Sequence, residues 1–315
     1  MKILLRILLC LALFLGAAFA YLNFRKPAAS PPLTVKVQRT PERLARGKYI
    51  ALLADCEGCH SPTDSSRFGF PKLADGHFSG YEFTRSMGLP GLVVAPNLTP
   101  DIETGIGSWT DGEKIRAIRE GVDRDGRALF PMMPYQHFRD MSDEDVYSLV
   151  AYLDSLPPIR RAHPANQVDF PVPLMIKSVP KPVEGPVTTP DRADRWRYGK
   201  YLSTLAGCQS CHGENLAAGN IFTFPPAFQV FAANISTDRE TGIGKWTEQQ
   251  FLDKFASYRE YVANGPPLVG PDSFTTMPWL SFAQLPDDDI RAIYAYVHSL
   301  PAVKKSIETH PKKGT

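Results

Sequence analysis

The chain has 315 residues, with 35 basic and 33 acidic side chains and a net charge of +2. This length is typical of two or three domains, and so balanced a charge gives no indication of nucleic-acid binding. Glycine and proline are plentiful, at 23 and 29 residues, which indicates small domains rich in loops.

The N-terminus has the pattern of an export signal. Lys2 and Arg6 precede an apolar run from Ile7 to Leu22, and a positive flank before an apolar core directs export. Cleavage after Ala20 is one interpretation. The other is a membrane anchor, because about 18 residues are just enough for one spanning helix. Residues 1–26 are therefore predicted to be a signal peptide or an anchor, with the rest of the chain exported.

Helix signals follow in the first half of the chain. Three local patterns each predict the start of a helix. They are a proline after an N-cap threonine, a threonine before an acidic turn, and a serine with an acidic residue three positions later. The predicted helices run from Thr40 into Cys56, from Thr110 to about Gly121, and from Ser142 to Pro157. In the second half, Pro190-Asp191 is predicted to start the equivalent helix before Cys208. Residues 157–190 then contain nine prolines, which predicts a semi-rigid, extended linker over 158–190.

The motif Cys-x-x-Cys-His occurs twice, at positions 56–60 and again 152 residues later at 208–212. It is the attachment signature of c-type haem, with two thiols for the vinyl groups and an imidazole for the iron. A zinc site and a redox-active dithiol are the alternatives, but neither explains the histidine in both copies. The predicted attachment residues of two covalent haems are Cys56, Cys59 and His60, and Cys208, Cys211 and His212.

An internal duplication extends beyond the haem motifs. Gly47-Lys48-Tyr49 recurs as 199–201, each nine residues before its first cysteine, and the segment 97–110 recurs as 234–247. Met133-Pro134 recurs as Met277-Pro278. A methionine opposite histidine closes the iron and suits electron transfer, so Met133 and Met277 are predicted as sixth ligands.

The repeated Asn-to-Trp segment has two interpretations. Buried haem propionates need hydrogen-bond donors, which Asn97, Asn234, Trp109 and Trp246 could supply. Packing of the tryptophans against the porphyrin is the alternative. The glycines of this segment are expected to adopt backbone conformations that are closed to other residues.

These motifs, taken as a string, resemble one known family. Asn-x-Thr-Pro-Asp-x-x-Thr-Gly-Ile-Gly-x-Trp, Asp-Gly-Arg-Ala-Leu-Phe-Pro-Met-Met-Pro-Tyr and Ser-Asp-Glu-Asp-Val resemble the membrane-bound multihaem cytochrome c subunit of bacterial alcohol and sugar dehydrogenases. The resemblance implies the axial pairs His60/Met133 and His212/Met277. It also implies a periplasmic dehydrogenase as electron donor, and quinone, a soluble cytochrome or an oxidase as acceptor. Members of that group usually carry three haem domains, whereas this chain has two.

The sequence thus predicts a mostly α protein with two tandem cytochrome c domains, at 40–157 and 191–302, joined by the proline-rich linker. The expected function is single-electron relay from a dehydrogenase to the respiratory chain, on the periplasmic side of the inner membrane or in the periplasm. No catalytic residue is predicted. The alternatives are a dihaem enzyme of the peroxidase or oxidase type and a gas-binding haem sensor.

Overall fold

The computed structural model describes residues 2–217, 221–224, 228–270 and 272–311, and it is mostly helical. The helices are α1 Lys2–Phe24, α2 Pro41–Leu53, α3 Cys56–His60, α4 Asp111–Glu120, α5 Tyr135–Phe138, α6 Asp143–Leu153, α7 Val172–Met175, α8 Arg195–Leu205, α9 Cys208–His212, α10 Glu248–Ala256, α11 Arg259–Asn264, α12 Trp279–Phe282 and α13 Asp287–Val297. The strands are β1 Tyr81–Phe83, β2 Gly91–Ala95, β3 Gln167–Val168, β4 Ile221–Phe224 and β5 Phe228–Phe231. The antiparallel pairs β1–β2–β3 and β4–β5 form two small sheets.

Each domain is organised around one closely packed pair of helices, α2 against α6 and α8 against α13. A side chain at Gly47 would place its Cβ 1.9 Å from the carbonyl oxygen of Ser148, and one at Gly199 would lie 1.8 Å from that of Ala292. Only glycine permits backbones to approach this closely. The repeated glycine of the Gly-Lys-Tyr motif therefore fixes the same helix crossing in both domains.

Side-chain capping explains where five of these helices begin. Thr110 and Thr247 each form a complete capping box, with Glu113 and Gln250 respectively. Ser142 accepts a hydrogen bond from the Asp145 amide, but the Asp145 carboxylate does not return to the Ser142 amide. That carboxylate is used elsewhere, so the predicted capping box is only half formed.

Two predicted boundaries were wrong. The helix predicted to start at Pro190 begins at Arg195, because Asp194 accepts a hydrogen bond from the Arg197 amide and caps it there. The first helix ends at Leu53 and does not run unbroken into Cys56.

The proline-rich segment between the domains is not simply extended. It contains β3, which pairs with β2, and the short helix α7. It also packs along the first domain, where Asp143 donates its amide to the carbonyl of Val187 at 2.9 Å. The amide of Val183 donates to the Glu120 carboxylate at 3.0 Å. The composition predicted stiffness but not these contacts, which come from residues far away in sequence.

Reciprocal contacts join the two haem-motif domains. The Tyr49 hydroxyl donates to the Asp289 carboxylate at 2.5 Å, and the Tyr201 hydroxyl donates to the Asp145 carboxylate at 2.5 Å. The two tyrosines are equivalent in the repeat, and so are the two aspartates, each twelve residues after its methionine. Each domain therefore gives a tyrosine to the other domain and receives one.

The segment between His60 and Asn97, and the segment between Trp246 and Met277, are each longer than the equivalent segment of the other repeat. These two longer segments contact each other. The amide of Phe68 donates to the carbonyl of Pro267 at 2.9 Å, and that of Val269 donates to Ser66 at 2.8 Å. The Phe68 ring stacks on Tyr258 with 5.3 Å between centroids. The additional residues in each domain thus extend the interface between the domains.

Candidate haem sites

The two haem motifs form short helices that share an unusual backbone turn. Asp55, just before α3, has a φ of 46°, and Gly207, just before α9, has a φ of 67°. Glycine adopts this left-handed conformation without cost, and aspartate tolerates it better than most residues. The turn separates each motif from the long helix before it, so that the motif faces the domain interior.

Both motif histidines are held by a backbone carbonyl. His60 Nδ1 lies 2.8 Å from the carbonyl oxygen of Pro96, and His212 Nδ1 lies 2.7 Å from that of Ala233. With the proton on Nδ1, this hydrogen bond leaves Nε2 as the free nitrogen donor, which is how a ligating imidazole is oriented. Burial lowers the pKa of His60 to about 4 and also lowers the pKa of His212. Both imidazoles are therefore neutral near pH 7, as coordination requires.

The Asn-to-Trp segment positions those carbonyls. Asn97 follows Pro96 directly, and its Nδ2 donates to Thr104 Oγ1 at 3.1 Å and to the carbonyl of Ile159 at 2.7 Å. Its Oδ1 accepts from the amide of Thr99 at 2.9 Å. Both amide hydrogens are thus used, which leaves none for a haem propionate. The contacts support a different role from the predicted one, since Asn97 fixes the turn that orients His60.

The second repeat has the same arrangement. Asn234 follows Ala233, and its Nδ2 donates to Thr241 Oγ1 at 3.1 Å and to the carbonyl of Val303 at 2.9 Å. Asn234 is therefore not available to a propionate either. In both repeats the asparagine directly follows the residue whose carbonyl contacts the motif histidine. The repeated asparagine was visible in the sequence, but its role could be assigned only after the histidine–carbonyl contact was known.

The glycines of this segment are needed for a reason other than the expected one. A Cβ at Gly105 would lie 2.2 Å from the carbonyl oxygen of Thr99, and one at Gly242 would lie 2.3 Å from that of Ser236. Neither glycine has a positive φ. Close approach of the backbone, and not the left-handed conformation, therefore excludes larger residues there.

A cavity in the first domain brings the predicted haem residues together. Its empty space is about 1100 Å³, counted out to its open mouth, and its walls are mainly aliphatic and aromatic. Cys56, Cys59, His60, Met133 and Trp109 all line it. An apolar cavity with two thiols, a neutral imidazole and a thioether fits a covalently attached haem.

Two details of this cavity refine the predictions. Met132 lines it together with Met133, so position alone does not choose between them, and the repeat favours Met133. In the part of the chain that the structure describes, the Trp109 indole N–H has no hydrogen-bond partner, which leaves it available to a propionate.

The second methionine has the same local backbone as the first. The amide of Trp279 donates to the carbonyl of Met277 at 2.7 Å, as the amide of Tyr135 does to Met133 at 2.9 Å. Met277 and Trp246 both pack against the buried core. The carbonyl of Trp246 accepts a hydrogen bond from Tyr294 at 2.9 Å. Equivalent turns thus present the two predicted sixth ligands.

The alternatives of zinc and dithiol chemistry fit less well. Burial raises the pKa of Cys59 and of Cys211 to about 11 in each case. These thiols are uncharged near pH 7, whereas thiol exchange uses the thiolate. Among the described residues, no three His, Cys, Asp or Glu side chains converge as a metal ion would require. A haem thioether carries no charge and suits such a buried position.

Comparison with known proteins agrees with this geometry. The family model described as cytochrome c matches residues 44–157 and again 197–301, which together make up more than half of the chain. The chain belongs to the cytochrome c family. Each match contains one Cys-x-x-Cys-His motif and one of the two equivalent methionines. Cytochrome c domains imply covalently bound haem c, and two matches imply two haems.

Three relatives are informative. The chain is 32% identical over 279 residues to the fructose dehydrogenase cytochrome subunit of Gluconobacter japonicus, covering 84% of this chain and 54% of that protein. It is 26% identical over 285 residues to the alcohol dehydrogenase (quinone) cytochrome c subunit of Gluconobacter oxydans, covering 82% and 55%. It is 28% identical over 303 residues to a diheme cytochrome c-type protein of Cereibacter sphaeroides, covering 94% and 97%. The cytochrome thus spans about half the length of the two dehydrogenase subunits and nearly all of the diheme protein.

Proposed function

We propose that this cytochrome relays single electrons from a periplasmic dehydrogenase to an acceptor of the respiratory chain, through two haems with His/Met coordination. The axial pairs are His60/Met133 and His212/Met277. The observation that carries the proposal is that both predicted ligand pairs have the same local backbone contacts, from the 2.8 and 2.7 Å histidine–carbonyl contacts to the equivalent methionine turns. Two closed irons suit electron transfer and leave no open position for a substrate.

The similarity to dehydrogenase cytochrome subunits supports the donor. The chain itself acts as the carrier, and oxidation of the organic substrate belongs to the partner. The apolar helix α1 supports a location at the membrane, with both haem domains on the periplasmic side. Quinone, a soluble cytochrome and an oxidase are the acceptor classes that accept single electrons from such a carrier.

The decisive experiment is the absorption spectrum of the purified, dithionite-reduced protein with and without carbon monoxide, together with the haem-to-protein ratio. We expect two haems per chain, a methionine–iron band at the red end of the oxidised spectrum, and no response to carbon monoxide. The Met277→Ala variant is the matched positive control, because it opens one iron and should bind carbon monoxide at half of the haem. Rapid binding by the unmodified protein would instead favour the dihaem enzyme or the gas sensor.

A further inference from the structure

The segment 170–176 is an apolar surface with an unusual degree of exposure. Its sequence, Phe-Pro-Val-Pro-Leu-Met-Ile, contains seven consecutive apolar residues. Phe170 is 71% exposed and Met175 is 61% exposed. Val172, Pro173, Leu174 and Ile176 are partly exposed. An apolar run that is exposed along its length marks an interaction surface.

The position of this segment indicates what covers it. It lies beside the C-terminal end of α1, the 23-residue apolar helix that is long enough to cross a membrane and has no buried residue in its most apolar window. Three contacts connect them: the rings of Phe19 and Phe170 with centroids 6.3 Å apart, Arg25 Nη2 to the Leu174 carbonyl at 3.3 Å, and Lys177 Nζ to the Asn23 carbonyl at 2.5 Å. The segment is thus continuous with the surface that a spanning α1 would present to lipid.

We propose that residues 170–176 insert into the outer boundary of the lipid bilayer beside α1 and hold the first haem domain against the membrane. A helix of 23 residues is about 34 Å long, slightly more than the ~30 Å hydrocarbon core. Phe19 lies five residues before the end of α1, about 7.5 Å along its axis. A Phe170 ring in contact with Phe19 therefore reaches the depth of about 5–10 Å that is typical of interfacial elements.

The charges around the segment match a phospholipid surface. No charged residue occurs within 170–176. Four basic residues flank it and the end of α1: Arg25, Lys26, Lys177 and Lys181. The acidic residue that directly precedes it, Asp169, is neutralised by an ion pair with Arg85. Lysine and arginine are attracted to a bilayer surface when the lipid is anionic. An apolar centre with a basic border is the arrangement that binds such a surface.

The segment is attached rigidly to the first haem domain, so its insertion would orient that domain. Strand β3 ends directly before it and pairs with β2, and the Asp169 amide donates to the carbonyl of Pro90 at 2.8 Å. Strand β2 leads into Pro96, whose carbonyl holds His60. A short, hydrogen-bonded path thus joins the lipid surface to the first haem ligand. The inference rests on the membrane anchor of the proposed function and is independent of its redox part.

The test compares two equally exposed positions in the full-length protein. Met175→Cys and Leu268→Cys are made separately in a Cys10→Ala background, since the haem thioethers block the other cysteines. Leu268 is 70% exposed and belongs to the second domain. Each variant is placed in nanodiscs of phosphatidylethanolamine and phosphatidylglycerol and treated with a charged, membrane-impermeant maleimide, with labelling followed by intact mass.

We expect the cysteine at position 175 to react at least tenfold more slowly than the one at 268, and the two to react equally after unfolding. Rates within twofold of each other in the nanodisc would overturn the proposal. So would an intact mass showing that the mature chain begins at Tyr21, because α1 would then be absent. The absorption spectrum of the same samples reports the haems separately, so a failure of the redox proposal is distinguishable from a failure of this one.

Discussion

The reciprocal tyrosine–aspartate contacts predict that two equivalent substitutions both destabilise the chain, each through a different buried group. Tyr49→Phe and Tyr201→Phe each remove one hydroxyl that donates to a carboxylate of the other domain at 2.5 Å. The two carboxylates are equally buried, with 3% side-chain exposure. The Tyr201 hydroxyl differs in that it also accepts a hydrogen bond from the buried Ser142 amide at 3.1 Å.

Asp145 keeps a strong partner, and Asp289 does not. Arg46 holds Asp145 with two hydrogen bonds of 2.7 and 2.8 Å. Asp289 keeps only Arg192, at 3.4 Å, and the side chain of Arg192 is 65% exposed. A hydrogen bond to a charged group contributes about 1.5–3 kcal/mol, and a buried charge left without a partner costs more. Tyr49→Phe thus leaves the Asp289 carboxylate weakly paired, whereas Tyr201→Phe leaves the Ser142 amide without its acceptor. We therefore expect each substitution to cost about 3 kcal/mol.

The free energy of unfolding of the haem-loaded protein, obtained from urea denaturation followed by far-ultraviolet circular dichroism, measures both values. Tyr147→Phe is the control, because the Tyr147 hydroxyl has no hydrogen-bond partner within the described part of the chain, and it should change stability by no more than about 0.5 kcal/mol. A loss for either substitution that matches the control would refute the reasoning.

Four further substitutions test the close packing, the turn and the sixth ligand. Gly47→Ala should destabilise the first domain by about 3 kcal/mol, measured by urea unfolding, because its Cβ would lie 1.9 Å from the Ser148 carbonyl; an unchanged midpoint would contradict the helix crossing. The pKa of Asp101 is lowered because a threonine hydroxyl and amide donate to it, so its stabilisation is present above its ordinary pKa of about 3.9 and is lost as the pH falls through the folded value. Asp101→Asn should accordingly lower the melting temperature at pH 7 and have little effect near pH 2; an equal effect at both would exclude the charge as the cause. Met133→Leu should abolish the methionine–iron band of one haem while Met132→Leu preserves it, and the opposite result would exchange the two as ligand.

The part of the site that repeats in sequence was predictable. The spacing of Cys56, Cys59 and His60 predicts covalent haem chemistry, in agreement with the cytochrome c family match. The second copy favours Met133 over Met132 as ligand, which stays a prediction. Both inferences use residues whose chemistry is nearly independent of the surrounding fold. The helix crossing at Gly47 was likewise predictable, because the glycine precedes the motif by the same distance in each copy.

Residues whose role depends on distant partners were not predictable. Asn97 was interpreted as a propionate donor, but its amide binds the Ile159 carbonyl, 62 residues away. Asp145 was assigned to a capping box, but its carboxylate binds Tyr201, 56 residues away. A polar side chain can form its hydrogen bonds with nearby residues or with residues far away in sequence, and the local sequence pattern is the same in both cases. Only the tertiary structure shows which partners it has.

The reciprocal interface between the domains also has a consequence for how this chain can have originated. A contact in which residue i of one unit meets residue j of the other, and the reverse, is the isologous contact of a two-fold symmetric homodimer. Tyr49 with Asp289, and Tyr201 with Asp145, meet that description within a single polypeptide. The cytochrome therefore has the contact pattern of two identical one-haem subunits that were joined after they already paired. Fusion frees each half to diverge without losing its partner. Arg46, which holds Asp145, is an example, because the equivalent position of the second repeat is Tyr198.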